Sequence, residues 1–261
     1  MINTLKIDEI YEAEVIGLEN EGKGVCKVGG IIVFVPKTLK GEKIRFRVTE
    51  IKKNFAKGKL VQVLKESDKR VKPSCPYYEE CGGCNLRHQE MKENLKFKKE
   101  KIENALKRIG KIDKKVEDVI PSFKNDNYRN KISLKVEDDK IGFYGEGTYQ
   151  LIDIDNCLLA VNEINEAIKV IRTYIKGFKN KIKTVTIKYG NAMDDILIDI
   201  YSLSQDDVGI INYLTSNISN LKTVIFNDKV LFLSVYIKEI SNGLMFNCSS
   251  KSFIVNFLER G

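Results

Sequence analysis

The sequence predicts a small OB-like β-barrel followed by an α/β (α+β) central domain with a mixed or antiparallel sheet. Three observations predict it. Short alternating apolar runs punctuated by glycine fill the first 66 or so residues, and strands mixed with helices take over from about residue 128. Between them lies a dense cysteine array, Cys75-x5-Cys81-x2-Cys84. The expected boundaries are a barrel at 1–68, a central domain at 69–252 with a connecting helix at 89–110, and a short final segment at 253–261.

Within the barrel, residues 25–36 read as two strands joined at Gly29-Gly30. The following run alternates strictly: Ile44, Phe46 and Val48 face the core, while Lys43, Arg45 and Arg47 form a basic outer stripe. Lys52, Lys53, Lys57 and Lys59 come next, with Phe55 among them. Cations interleaved with an aromatic suit a surface that grips RNA, and a solvated lysine face is the ordinary alternative.

Beyond the cysteines, Met91, Leu95, Ile102, Leu106 and Ile109 recur at helical spacing, and Gly110 stops the helix. The lysine-rich stretch at 111–115 reads as a linker. Ile132, Leu134 and Val136 alternate up to a turn at Asp138-Asp139, and Ile141 and Phe143 alternate after it, so this is a hairpin. Helices are expected near 161–178 and 207–216, and strands near 184–189, 196–203 and 230–240.

Charge adds a partner. The 261 residues carry 44 basic and 36 acidic side chains, a net +8, which favours a polyanion such as RNA. The start of the chain has no signal-peptide pattern and no apolar run is long enough to span a membrane, so the expectation is a cytoplasmic protein. In that reducing compartment clustered cysteines are metal ligands or redox groups rather than disulfides. A single histidine, His88, excludes a two-histidine zinc site. The spacing is equally compatible with a structural zinc and with a four-cysteine iron–sulfur cluster, and the fourth ligand is Cys26, Cys157 or Cys248. Cys26 and Cys248 lie within apolar strand patterns, where cysteine is normally a small buried side chain.

These residues carry a resemblance. Cys75-x5-Cys81-Gly-Gly-Cys84-Asn-Leu-Arg-His88, then a lysine-studded helix, then Tyr128-Arg129-Asn130-Lys131 and an isolated Cys157 before two leucines, resembles the bacterial uracil-5 methyltransferases that modify 23S ribosomal RNA. The barrel resembles their TRAM domain in its Glu21-Gly22-Lys23-Gly24, Val33-Phe34-Val35-Pro36 and Gly41-Glu42 segments. The resemblance implies a [4Fe–4S] cluster held by Cys75, Cys81, Cys84 and Cys157. It implies an RNA partner, 23S rRNA, and favours the ribosomal branch because tRNA-directed relatives generally lack cluster and barrel.

For the family the resemblance also implies S-adenosylmethionine as methyl donor. A cysteine adds to C6 of uracil, C5 takes the methyl group, and carboxylate-assisted proton loss releases product. No catalytic or donor-binding residue is assigned in this sequence. The family run Ser-Phe-x-Gln-Val-Asn reads here Ser252-Phe253-Ile254-Val255-Asn256, without the glutamine, and 253–261 is expected as a remnant of the methyltransferase domain's start. The chain is therefore expected to be inactive alone, with the stripe of the 89–110 helix exposed and prone to self-association. The RNA-facing candidates are Lys53, Phe55, Arg87, His88, Arg129 and Lys131, with a hydrogen-bonding cap on the cysteine loop as the other role open to His88. Two further readings remain: a stand-alone iron–sulfur RNA-binding adaptor, and a zinc-stabilised interaction module.

Overall fold

Strand alternation in the first 66 residues builds a curled sheet. The computed structural model describes residues 5–178, 181–204 and 208–252. The chain divides into two compact units, one of Met1–Tyr78 with Cys84–Pro121, the other of Glu79–Gly83 with Ser122–Gly261. The 89–110 helix thus groups with the barrel strands. The expected remnant at 253–261, with Phe253 to Asn256, lies outside the described residues.

The first unit contains β1 (Ile10–Glu14), β2 (Gly17–Leu18), β3 (Gly24–Val28), β4 (Ile31–Val35), β5 (Lys43–Ile51), β6 (Phe55–Lys65) and α1 (Met91–Arg108). Its sheet runs β1-β5-β6-β4-β3-β2, antiparallel except for the β4–β6 pair. The two end strands are consecutive in the chain, and the Ile16 N–H between them donates to the Val25 carbonyl at 2.8 Å. The sheet therefore bends back towards its start. Among the described residues no ladder joins β1 to β2, so the expected barrel is a curled mixed sheet rather than a ring of paired strands. Ile44, Phe46 and Val48 are fully buried with Val33, Val35 and Ala56, as the alternation requires.

Two motif glycines have steric reasons. Gly22 sits at φ +87°, and a Cβ there would lie 2.8 Å from Leu86. A Cβ on Gly24 would lie 1.9 Å from Thr38 Oγ1 and 2.9 Å from Val15, both buried.

Helix α1 ends where Gly110 N–H donates to the Ala105 carbonyl at 3.2 Å. None of its residues is buried. Met91, Ile102 and Ile109 are exposed, and Leu95 and Leu106 half-buried. Polar ties hold the helix instead. Lys101 donates to the Asn20 carbonyl at 2.8 Å, Lys99 pairs with Asp118 at 2.7 Å, and Glu103 accepts the Val116 N–H at 3.1 Å.

The second unit contains β7 (Lys131–Glu137), β8 (Lys140–Tyr144), β9 (Leu151–Asp153), α2 (Asn162–Gly177), β10 (Ile182–Gly190), β11 (Asp195–Ser202), α3 (Val208–Asn217), β12 (Leu221–Phe226), β13 (Lys229–Leu233), β14 (Ile237–Ser241) and β15 (Leu244–Cys248). Seven strands form one sheet, β13-β12-β11-β10-β7-β8-β9, parallel only at β11–β12. Helix α2 buries Ile164, Ala167, Ile168 and Ile171 and packs on β8 and β10. The β14–β15 hairpin packs on β10 and β11, where Ile237 and Cys248 join Leu197 and Ile225 in a small buried cluster.

Two sequence expectations change. The strand expected at 230–240 is two strands, because Leu233 takes φ +41° and the Ser234 hydroxyl bonds the Tyr236 backbone, making a turn. Strand β12 was not anticipated, since its apolar run Val224-Ile225-Phe226 has no polar alternation to mark it.

Candidate RNA interface and cysteine loop

On the curled sheet, Lys53 is exposed in the turn between β5 and β6, and Phe55 is half-buried at the start of β6. Its ring meets Phe34 edge-on, with centroids 5.5 Å apart and planes at 63°. Parallel pairing sets this up by placing Phe34 opposite Lys57 and Ile32 opposite Phe55. The basic stripe beside it is partly neutralised. Arg45 pairs with Glu12 at 2.6 Å, while Lys52 and Lys57 share Glu50 and hold its carboxyl down at about 2.

The strand-to-helix connection in the same unit is organised by buried polar contacts. Glu42 is fully buried and takes Arg70 in a two-point pair, Nε to Oε1 at 2.5 Å and Nη2 to Oε2 at 2.8 Å. Burial pushes the Glu42 carboxyl up, but Arg70 and the Leu39 and Ser67 N–H groups outweigh it and hold it below the usual carboxylate range. His88 is only 1 % exposed, and its Nδ1 lies 2.5 Å from the Tyr78 hydroxyl, which also donates to the Asn85 carbonyl at 3.0 Å. Burial, reinforced by the Arg70 charge, pushes the His88 imidazole down to about 4. A buried neutral ring does not present a cation to phosphate, and this one is hydrogen-bonded inside the loop. Arg87 is half-buried and donates to the Ser74 hydroxyl at 3.0 Å. Asn85 donates to the Glu21 carbonyl at 2.9 Å, which ties the cysteine loop to the Gly22 turn.

The cysteines themselves are split. Cys75 and Cys84 belong to the first unit, Cys81 and Cys157 to the second. Cys81 bridges to Gly145, and Gly82 N–H donates to the Tyr144 carbonyl at 3.1 Å. A Cβ on Gly82 would sit 3.0 Å from that same carbonyl oxygen, so the glycine permits the close approach. The Cys81 sulfur accepts the Gly83 N–H at 3.4 Å. Cys157 lies four residues past β9 rather than at a strand end, and Asn165 clamps it by accepting its N–H at 2.9 Å and donating to its carbonyl at 3.2 Å.

All four are half-buried cysteines outside any disulfide, a donor set chemically suited to a thiolate-held metal. Cys26 and Cys248 are buried, and burial raises the Cys26 thiol to about 11 and the Cys248 thiol above its ordinary value, which disfavours the thiolate a metal needs. The geometry does not by itself complete the site. Among the described residues no three His, Cys, Asp or Glu side chains stand grouped to hold a metal ion.

In the Tyr128–Lys131 segment Asn130 is buried and the other three residues are half-buried. Arg129 is half-buried, with its backbone tied to Leu159 and Val161. Asn130 donates to Glu239 Oε2 at 2.8 Å, and Lys131 donates to the Ser250 carbonyl at 2.5 Å. Beside them Lys188 pairs with Glu239 at 3.0 Å, both side chains essentially inaccessible. Burial, with the adjacent Lys188 charge, lowers the Lys131 ammonium. The Lys131 head group is thus tied to the turn after β15. Lys188 and Glu239 escaped the sequence reading. The available signal was the phase of β14, where Glu239 falls two residues after the buried Ile237 on the same face, a position that demands a buried cation.

Comparison with known proteins shows what the chain is similar to. Residues 6–61 match the TRAM domain family, which covers β1 to most of β6. Over a longer stretch the chain is 30% identical to an uncharacterized RNA methyltransferase of Clostridium acetobutylicum, covering 95% of this chain and 61% of the relative. It is 34% identical to another of Caldanaerobacter subterraneus, covering 87% and 54% respectively. The chain spans a little over half the length of these two relatives. The fold resembles the Pyrococcus abyssi tRNA (uracil-54, C5)-methyltransferase solved with S-adenosyl-L-homocysteine, with a TM-score of 0.69 at 24% identity over 93% of this chain and 60% of that one. No helix among the described residues is long and apolar enough to cross a membrane.

Proposed function

We propose that these residues form the RNA-recognition portion of an S-adenosylmethionine-dependent RNA uracil-5-methyltransferase. The observation that carries the reading is the TRAM match at 6–61 falling on a sheet that exposes Lys53 beside the Phe34–Phe55 pair. Ring faces stack on unpaired bases and the lysine neutralises phosphate, which together bind single strands with little sequence preference. Arg129 on the central unit is the second proposed contact. The target class is a uridine in ribosomal or transfer RNA. The sequence motifs favour 23S rRNA and the fold likeness favours neither.

Within this reading Cys75, Cys81, Cys84 and Cys157 hold a [4Fe–4S] cluster. Support comes from four accessible thiols on backbones fixed by glycine and asparagine contacts, set against the two buried ones. Iron and acid-labile sulfide near about four each per chain are expected, and zinc without sulfide would replace the cluster by a structural zinc. No nucleophile is proposed. Cys26 and Cys248 are buried and held as thiols. Methyl-donor binding is proposed to need the part of the relatives that this chain does not span. Titration of the 261-residue chain with S-adenosylhomocysteine tests this: no heat is expected, and saturable binding would place the donor site within these residues.

A further inference from the structure

The hairpin β14–β15 covers only part of its face of the central sheet, and what it leaves open is a half-open cavity of about 210 Å³ with a mixed lining. Thr184, Thr186, Asp199 and Tyr201 line it from neighbouring strands, and the β12–β13 turn, Asn227-Asp228, forms its wall. That turn is rigid. Both its residues take left-handed φ, and Asn227 accepts the Ser202 N–H at 2.8 Å and donates to the Ser204 carbonyl at 2.9 Å.

The functional groups narrow the ligand. Asp199 is half-buried, and its charge acts on nearby Lys131. Thr186 shares its hydroxyl with Ser133 at 2.5 Å, and Thr184 accepts from Lys135 at 3.3 Å. The Asp228 charge is answered by Lys251 at 3.1 Å. The Asp199 carboxylate can only accept hydrogen bonds, which suits a group that offers N–H donors. Tyr201 stands 55 % exposed at the rim, a flat surface for stacking. The volume lies below the range of roughly 300–1,000 Å³ usual for drug-sized ligands, which fits one base rather than an oligonucleotide.

We propose that this cavity takes a single unpaired nucleobase bearing an exocyclic amine, with Asp199 accepting the amine and Tyr201 stacking on the ring. Uracil has no such amine, so the site reads a neighbour of a target uridine and not the uridine itself. This rests on the RNA-binding reading above.

The test is fluorescence-anisotropy titration of the 261-residue chain with oligo(C), oligo(A) and oligo(U) hexamers at one salt concentration. Wild type is expected to prefer oligo(C) and oligo(A) over oligo(U) by about tenfold, the scale of one good base-edge contact. Asp199→Asn keeps the shape and is expected to erase that preference while leaving oligo(U) affinity unchanged. Tyr201→Ala, at an exposed position that does not threaten folding, is expected to weaken all three. Binding of all hexamers with equal affinity by wild type, or an intact preference in Asp199→Asn, overturns this inference and leaves the RNA reading standing. Failure of wild type to bind any hexamer overturns the RNA reading itself.

Discussion

Two strand pairs in this molecule alternate apolar side chains with cations, and the cations meet opposite fates. On β5 and β6 of the curled sheet, Lys43, Arg47, Lys57 and Lys59 stand in water, answered in part by Glu12 and Glu50. On β7 and β10 of the central sheet, Lys131 and Lys188 lie side by side in register beneath the β14–β15 hairpin, bound to Glu239 and to backbone carbonyls. Alternation decides only which face a side chain takes. Whether that face is solvent or protein depends on an element about a hundred residues further along the chain, and this separates an exposed lysine from a paired one.

The largest effect expected from breaking this contrast is at the buried pair. Replacing Glu239 by Leu leaves Lys188 unpaired and is expected to destabilise the central unit by about 3–5 kcal/mol, measured by chemical denaturation. Lys188→Met with Glu239→Leu is expected to recover much of that loss. Equal losses in the single and double variants would show that the pair does not act as a unit.

In the first unit, Gly24→Ala drives a methyl into the buried Thr38 hydroxyl and is expected to cost about 1–3 kcal/mol, and an unchanged melting temperature would refute the steric reading. His88 gives a comparable effect that depends on pH. Its folded value of about 4 lies below the ordinary imidazole value of 6.5, so the unfolded chain binds the proton more readily between those limits. Its contribution is full above about 6.5 and fades as pH falls towards 4, by up to about 3 kcal/mol. His88→Leu is expected to flatten stability across that window. Glu42, whose folded value is depressed, loses its contribution only at still lower pH, so the two titrations separate. The smallest effect is on binding: Phe55→Ala is expected to weaken single-stranded RNA by about 1–3 kcal/mol with stability little changed.

Much of the first unit was legible because its code is local. The Gly29-Gly30 turn and the Ile44, Phe46, Val48 phase are written in adjacent residues and appear as read. The hairpin turning at Asp138 and the buried face of α2 were legible for the same reason. The site was harder to read. Lys131 and Arg129 carry the same chemistry in a string of letters, but their surroundings come from Ser250 and from Leu159. His88 looked equally suited to phosphate and to a loop cap, and its surroundings come from Tyr78 and from the Arg70–Glu42 pair brought up from elsewhere in the unit. The cavity over Asp199 had no sequence signature, because its residues come from β10, β11 and a turn that only sheet order brings together.

The most direct test of the account is the affinity of the 261-residue chain for single-stranded RNA across a series of salt concentrations, for wild type, Lys53→Ala and Lys131→Met. The account predicts that log affinity falls linearly with log salt, that Lys53→Ala makes the slope shallower by about 0.7, and that Lys131→Met leaves it unchanged. Absence of RNA binding, or a slope that responds to Lys131 and not to Lys53, would contradict it.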